Sequence, residues 1–117
     1  MKNFSASEFK CPCCDKQQMD WAFTEKLDYA RDIAGIPFII TSGYRCPAHN
    51  EAVGGVSSSS HIHGHAADIA CTDSADRYQI ITGLQAAGIN RIGVADSFIH
   101  ADDDPHKIPG MVWTYGG

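Results

Sequence analysis

"AADIACTDSADRYQIITGLQAAGINRIGVADSFIHAD", Ala66 to Asp102, decides the fold. Its first six residues, Ala66 to Cys71, are apolar apart from one aspartate and read as a core strand. Ser74 is placed to cap a helix whose buried stripe is Ile80, Ile81, Leu84 and Ala87, with Gly88 ending it. "INRIGVAD" and "SFIHAD" then read as two further strands, separated by a tight turn near Asp96 and Ser97.

Working upstream, "DWAFTEKLDYARDIAG" puts Trp21, Phe23 or Thr24, Leu27, Ala30 or Arg31, and Ala34 near helical spacing, with Asp20 to cap the start and Gly35 the end. "PFIITSGY", Pro37 to Tyr44, is β-branched and apolar, a short buried strand. "CPAHNEAVGG" reads as a short helical turn stopped by Gly54 and Gly55. Helix, strand, turn, strand, helix, strand, strand is the order of an α+β domain with two main helices and a small, mainly antiparallel sheet. Residues 1–117 are expected to form a single domain, since 117 residues with 44% hydrophobic content suffice for one modest core.

A net charge of −5 offers no broad basic face, which argues against a nucleic-acid partner. No apolar run approaches the roughly 20 residues that span a bilayer, so no membrane partner is expected, and the domain is taken as a monomer. "MKNFSASEFK" lacks the apolar middle of a signal peptide, so synthesis and retention in a cytoplasm are expected, or exit by a route unrelated to secretion. The odd count of five cysteines, Cys11, Cys13, Cys14, Cys46 and Cys71, favours reduced thiols over a disulfide framework. "CPCC" lacks the second pair of a zinc knuckle. It reads as plain thiols, as a partial metal site with Cys46 or Cys71, or as packing beside the first helix.

Just before the opening stretch, "SSSSHIHGHAAD" concentrates His61, His63, His65 and Asp68. A catalytic zinc takes three protein ligands and keeps a fourth position for water, so one site cannot use all four from so short a segment. Spacing alone leaves the choice open, and a solvated histidine loop is the bland alternative; Gly64 argues only against a regular strand there. Among His49, His100 and His106, His100 is the strongest additional candidate. An imidazole inside the otherwise apolar "FIHAD" needs a polar partner, either an ordinary hydrogen bond or a metal.

"SGYR", "NEAVGG", "SSHIHGHAADI" and "FIHAD" together resemble the zinc D-alanyl-D-alanine carboxypeptidase family. That family includes phage endolysin peptidases, vancomycin-resistance D,D-dipeptidases and bacterial murein endopeptidases, and shares its fold with the hedgehog signalling domain. The family pattern S-x-H-x-x-G-x-A-x-D is met at Ser59, His61, Gly64, Ala66 and Asp68, and the resemblance runs from about Phe9 to Trp113. It implies one zinc held by His61, Asp68 and His100, with His63 and His65 lining the cleft or facing solvent. A carboxylate and two neutral imidazoles leave a net charge of +1 on the metal, suited to acidifying a water. The resemblance further implies that Arg45 holds a substrate carboxylate and that Ser59 hydrogen-bonds the substrate.

Many members carry an acidic general base three residues before the last histidine, where this chain has Ser97. Asp96 and Asp102 are the alternatives, with Asp102 slightly favoured by the murein-endopeptidase-like "H-x-D" ending, either as base or as the group orienting His100. Trp113 in the closing strand reads as core packing rather than a sugar platform, and "DDDPH" as a solvated loop in which His106 is an additional cleft residue at most.

The expectation is therefore a zinc peptidase acting on peptidoglycan stem peptides, either a D,D-carboxypeptidase or an L-alanyl–D-glutamate-type endopeptidase. Small size and the missing signal peptide suggest an endolysin-like protein reaching the cell wall by lysis or as part of a virion. The competing expectation, supported by Ser97, is a binding module of the same fold that keeps zinc without turnover. A histidine-rich metal store would need several metals per chain, which the ordered spacing disfavours.

Overall fold

The computed structural model describes residues 4–12, 18–54 and 59–115. Cys13 and Cys14 of the "CPCC" run, Gly55 and the first half of the serine run lie outside them. A 3-10 turn at Ala6–Phe9 precedes α1 (Trp21–Ala34), β1 (Ile40–Ser42), α2 (Pro47–Ala52), β2 (Ala66–Ala70), α3 (Ser74–Ala86), β3 (Arg91–Val94), β4 (Phe98–Asp102) and β5 (Met111–Thr114). This is the expected α+β arrangement.

Local chemistry accounts for the helix limits. The Asp20 carboxylate accepts from Phe23 N (2.9 Å), and Gly35 at φ 73° donates its N–H to Arg31 O. At α3 the cap is Asp73, one residue before the expected Ser74: its carboxylate accepts from Asp76 N at 2.8 Å, and Ser74 becomes the first helical residue. β1 is shorter than the expected Pro37–Tyr44. Pro37 has no N–H for the ladder, and the register with β2 slips between Ile40 and Ser42.

The five strands lie in the order β1-β2-β4-β3-β5. β1–β2, β2–β4 and β4–β3 are antiparallel; β3–β5 is parallel, so the sheet is mixed although mainly antiparallel. Side chains alternate across it. Ala67, Ile69, Ile92, Ile99 and Ala101 point into the core with Phe23, Leu27 and Ala30 of α1 and Ile80 and Leu84 of α3. Each large apolar side chain so buried contributes about 1.5–3 kcal/mol.

The opposite face carries polar residues in register. Ser42 opposes Asp68, Asp68 opposes His100, His100 opposes Gly93, and Gly93 opposes Trp113, one row crossing all five strands. One step along β4 the next row pairs Asp102 with Arg91. These two rows form the floor on which the functional site stands.

Candidate metal centre and its cleft

Asp68 and His100 are direct cross-strand neighbours, and His61 reaches them from the loop between α2 and β2. That loop is tightly held. Gly64 sits at φ 73° against residues 18–20, where a Cβ would meet Gln18 O at 2.0 Å, and its carbonyl accepts from Asp20 N at 2.9 Å. The turn therefore needs glycine both for its backbone angle and for its closeness to another segment.

Each histidine has one nitrogen spoken for. His61 Nδ1 faces Gly43 O at 2.8 Å; a carbonyl only accepts, so Nδ1 carries the hydrogen and Nε2 keeps its lone pair. His100 Nε2 lies 2.7 Å from Asp102 Oδ2, which likewise leaves Nδ1 toward the site. Asp68 Oδ1 then stands 3.0 Å from His100 Nδ1 and 3.4 Å from His61 Nε2. All three residues are buried, and one ligand atom from each lies within 4.8 Å of the others. Two imidazole nitrogens and a carboxylate oxygen converging without a protein cation between them are a donor set that suits zinc.

The electrostatics agree. Burial alone would raise the Asp68 carboxyl, but hydrogen bonds from His100 and His61 and their charge hold it well below the usual carboxylate range. Burial opposes a charge on His100, yet the flanking carboxylates of Asp102 and Asp68 outweigh it and push the imidazole up. Asp102 is lowered: burial works against this, and His100 and Arg91 overcome it.

Around the ligand atoms is a cleft of about 320 Å³. Arg45 lines it, held by three contacts: Nε to Ser42 Oγ (3.1 Å), Nη1 to Asn50 Oδ1 (3.3 Å) and Nη2 to Asp68 Oδ2 (3.5 Å). Ser59 is buried at its edge, its hydroxyl accepting from His61 N at 3.2 Å. Asp102 lines the cleft with both oxygens engaged: Oδ2 with His100, Oδ1 with Arg91 Nε (2.8 Å) and Asp104 N (3.3 Å). Asp96 is exposed in the β3–β4 turn and is not among the lining residues. The turn lies three to four residues from His100, on the order of 10 Å along the strand. Of the expected site residues, the fold gathers His61, Asp68, His100, Arg45, Ser59 and Asp102 and leaves Asp96 outside.

The other histidines separate clearly. His63 is exposed, and half-buried His65 pairs with Asp103 (3.1 Å) away from the cleft. Asp20, His65 and Asp103 form a second cluster of ligand-type side chains. Its carboxylates already have partners, Asp20 as the α1 cap and Asp103 with Lys26 Nζ (2.9 Å). His106 is exposed and does not line the cleft.

Several cleft residues escaped the sequence reading. Trp113, expected in the core, is half-buried in the cleft wall, its ring 5.6 Å from that of His100 and 5.0 Å from the Arg91 guanidinium carbon. Gly93 makes room for it: a Cβ there would lie 2.6 Å from Trp113 Nε1. Arg91, Tyr115, Phe98 and Lys107 complete the wall, and buried Asp104 braces the histidine loop through Ser60 Oγ (2.8 Å). The one available signal was Arg91, a charge at period-two spacing within the apolar "INRIGV".

No helix among the described residues is long and apolar enough to cross a membrane. No curated protein matches the chain. The family model described as Peptidase M15 matches residues 2–102, a span that includes all three converging side chains and most of the sheet beneath them. With the His/Asp donor set, the order of the motifs and that match in agreement, the chain belongs to the Peptidase M15 family, a zinc D-Ala-D-Ala carboxypeptidase family.

Proposed function

We propose that this chain is a zinc-dependent peptidase that cuts peptidoglycan stem peptides, at a D-alanyl-D-alanine bond or an L-alanyl–D-glutamate-type bond, in an endolysin-like role. The observation that carries this is the convergence of His61 Nε2, Asp68 Oδ1 and His100 Nδ1 at the floor of a cleft edged by Arg45. His61, Asp68 and His100 are the ligands. Zinc bound there supplies Lewis acidity, polarising a scissile carbonyl and making water a better nucleophile at neutral pH.

The protein's own groups do the rest. Arg45, fixed by Ser42, Asn50 and Asp68, uses its remaining N–H groups to hold a substrate carboxylate, so the bound peptide is oriented before reaction. Ser59 keeps its hydroxyl hydrogen for the substrate backbone while its oxygen accepts from His61 N. Trp113, Phe98 and Tyr115 wall the cleft and restrict water around the bond. Asp102 holds the His100 ring by its Nε2–H and is held in turn by Arg91, which favours an orienting role over that of free base.

Hydrolysis of purified peptidoglycan by the zinc-loaded chain, with products read by mass spectrometry, tests the reading. Release of D-alanine, or of a new L-alanine terminus, that disappears in His61→Ala supports it and names the bond. The engagement of both Asp102 oxygens favours a second reading, a zinc-bearing binding module without turnover. A chain that holds its zinc and leaves the stem peptides intact would establish that module and exclude the peptidase.

A further inference from the structure

The stretch "DDDPH", expected as a solvated loop, is a built turn that carries a cation to the cleft. Buried Asp104 opens it: Oδ1 accepts from His106 N at 2.9 Å, Oδ2 from Ser60 Oγ at 2.8 Å, and its carbonyl from Lys107 N at 3.2 Å. Asp in the first position and Pro105 in the second suit such a turn. Just beyond it, Arg91 Nη1 donates to Ile108 O. The backbone is thus pinned on both sides of Lys107, whose half-buried side chain lines the cleft.

Among the described residues, Arg45, Arg91 and Lys107 are the Arg and Lys side chains that line the cleft. Arg91 is committed to Asp102, to Ile108 O and to the face of Trp113. Arg45 has its place in the reading above, on one substrate carboxylate. Lys107 Nζ makes no hydrogen bond or ion pair among the described residues, and both oxygens of the acid in its own turn, Asp104, are taken. A partly desolvated ammonium in a cleft favours an anionic ligand.

The fold sets the two cations apart. Arg45 follows β1 on one side of the β2–β4 pair that bears Asp68 and His100. Lys107 precedes Ile108, which Arg91 ties to β3 on the other side. β1 and β3 are three strand spacings apart, about 14 Å, or about four residues of extended peptide before the reach of two long side chains is subtracted.

We propose that Lys107 binds a second carboxylate of the stem peptide, on the acyl side of the scissile bond, across the metal centre from the carboxylate held by Arg45. This rests on the peptide-binding reading above and makes Lys107 a specificity residue. In a stem of the form L-Ala–γ-D-Glu–diamino acid–D-Ala–D-Ala, that carboxylate comes from the D-glutamate or from diaminopimelate where it is the diamino acid. Both lie on the acyl side of a D-alanyl-D-alanine cut, two or three residues from the terminal carboxylate. The acyl side of an L-alanyl–D-glutamate cut has neither.

The test offers four synthetic pentapeptides of that form to zinc-loaded wild type and Lys107→Gln. The diamino acid is diaminopimelate or L-lysine, and the glutamate α-carboxylate is free or amidated. The readout is kcat/KM where the peptides are cut and the calorimetric Kd where they are not. Wild type should favour the peptide with both carboxylates over the one with neither by about tenfold, and the single replacement that reproduces the loss names the source. Lys107→Gln should treat all four within about twofold, with zinc content unchanged. Wild type indifferent to the four, Lys107→Gln that keeps the preference, or cleavage after L-alanine would each overturn the proposal. Turnover without discrimination removes the role of Lys107 and leaves the peptidase; discrimination in Kd without turnover removes the peptidase and leaves the role of Lys107. Peptides neither bound nor cut would overturn both.

Discussion

Substituting alanine at Gly64 and at Gly35 separates two costs that are usually entangled. Both glycines have φ 73°, so each alanine carries the same left-handed backbone penalty, about 1 kcal/mol. At Gly35 a Cβ meets nothing within 4 Å, and the penalty stands alone. At Gly64 the Cβ would lie 2.0 Å from Gln18 O and 2.8 Å from Met19 Cα, both backbone atoms that cannot rotate away. Relieving that overlap means parting the loop from residues 18–20 by more than about 1 Å, which strains the packing and breaks the Asp20 N to Gly64 O bond, itself worth about 1 kcal/mol.

Gly64→Ala should therefore cost about 3–4 kcal/mol against about 1 kcal/mol for Gly35→Ala. For a domain of this size that corresponds to midpoint drops of roughly 12–16 °C and roughly 4 °C. Thermal unfolding of the metal-free proteins followed by circular dichroism reads the difference directly. Because Gly64 N also donates to His61 O (3.3 Å), zinc affinity should fall in Gly64→Ala and hold in Gly35→Ala. Equal destabilisation by the two substitutions would refute the claim that close docking of the histidine loop shapes the site.

Asp102→Asn should weaken zinc binding by about 10- to 100-fold along with turnover, because the carboxylate orients His100; retained zinc affinity with lost turnover would make Asp102 a base instead. Asp96→Asn, outside the cleft, should leave both unchanged in the same assays. Zinc binding near neutral pH should release a proton, because His100 titrates above its usual range when metal-free; calorimetry in buffers of different ionisation enthalpy should show that release decline as pH rises through the raised value. The same shifts give metal-free stability an optimum. The raised His100 contributes fully below about 6.5 and its contribution is lost as pH rises through its folded value, whereas the lowered Asp68 and Asp102 contribute above about 4 and are lost in acid. Urea unfolding across pH measures this, and stability that climbs steadily from pH 6 to 9 would contradict it. Arg45→Lys should reduce kcat/KM on carboxylate-bearing stem peptides about tenfold or more with zinc content unchanged, since an ammonium cannot reproduce the three-way fork; steady-state kinetics beside metal analysis decides it.

The parts legible in the sequence and those that were not divide along a physical line. Asp20 and Gly35 bound α1 through contacts made within four residues, and both limits could be read directly. At α3, Asp73 and Ser74 are adjacent cap-type residues, and only the Asp73 contact with Asp76 N distinguishes them. His100 stood out because an imidazole in an apolar strand needs a partner, and Asp102 because period-two alternation places it on the same face. Arg91 gave only its charge within an apolar strand, and Trp113 gave no such sign. Their roles exist only through register: Arg91 opposes Asp102 from β3, and Trp113 reaches the cleft because β5 lies parallel to β3 and pairs with Gly93. The turn at residues 95–97 sets the β3–β4 register, but no local rule supplies the register of β5 on β3, from which it is separated by β4 and a loop.

The same distinction explains why motif and mechanism were legible to different depths. The ligand residues can be recognised by type and order, but what each one does depends on which nitrogen faces the site. That orientation comes from Gly43 O for His61 and from Asp102 for His100, partners 18 residues away and across one pleat respectively. Asp102 is in turn held by Arg91 from the neighbouring strand, so the acid beside the last histidine is engaged by a residue outside every recognised motif. A change of register between β3 and β4 would release Asp102 Oδ1 from Arg91 while leaving the His100 and Asp104 contacts and every proposed ligand residue in place. In this fold, then, the partners of Asp102 are set by strand pairing as much as by sequence.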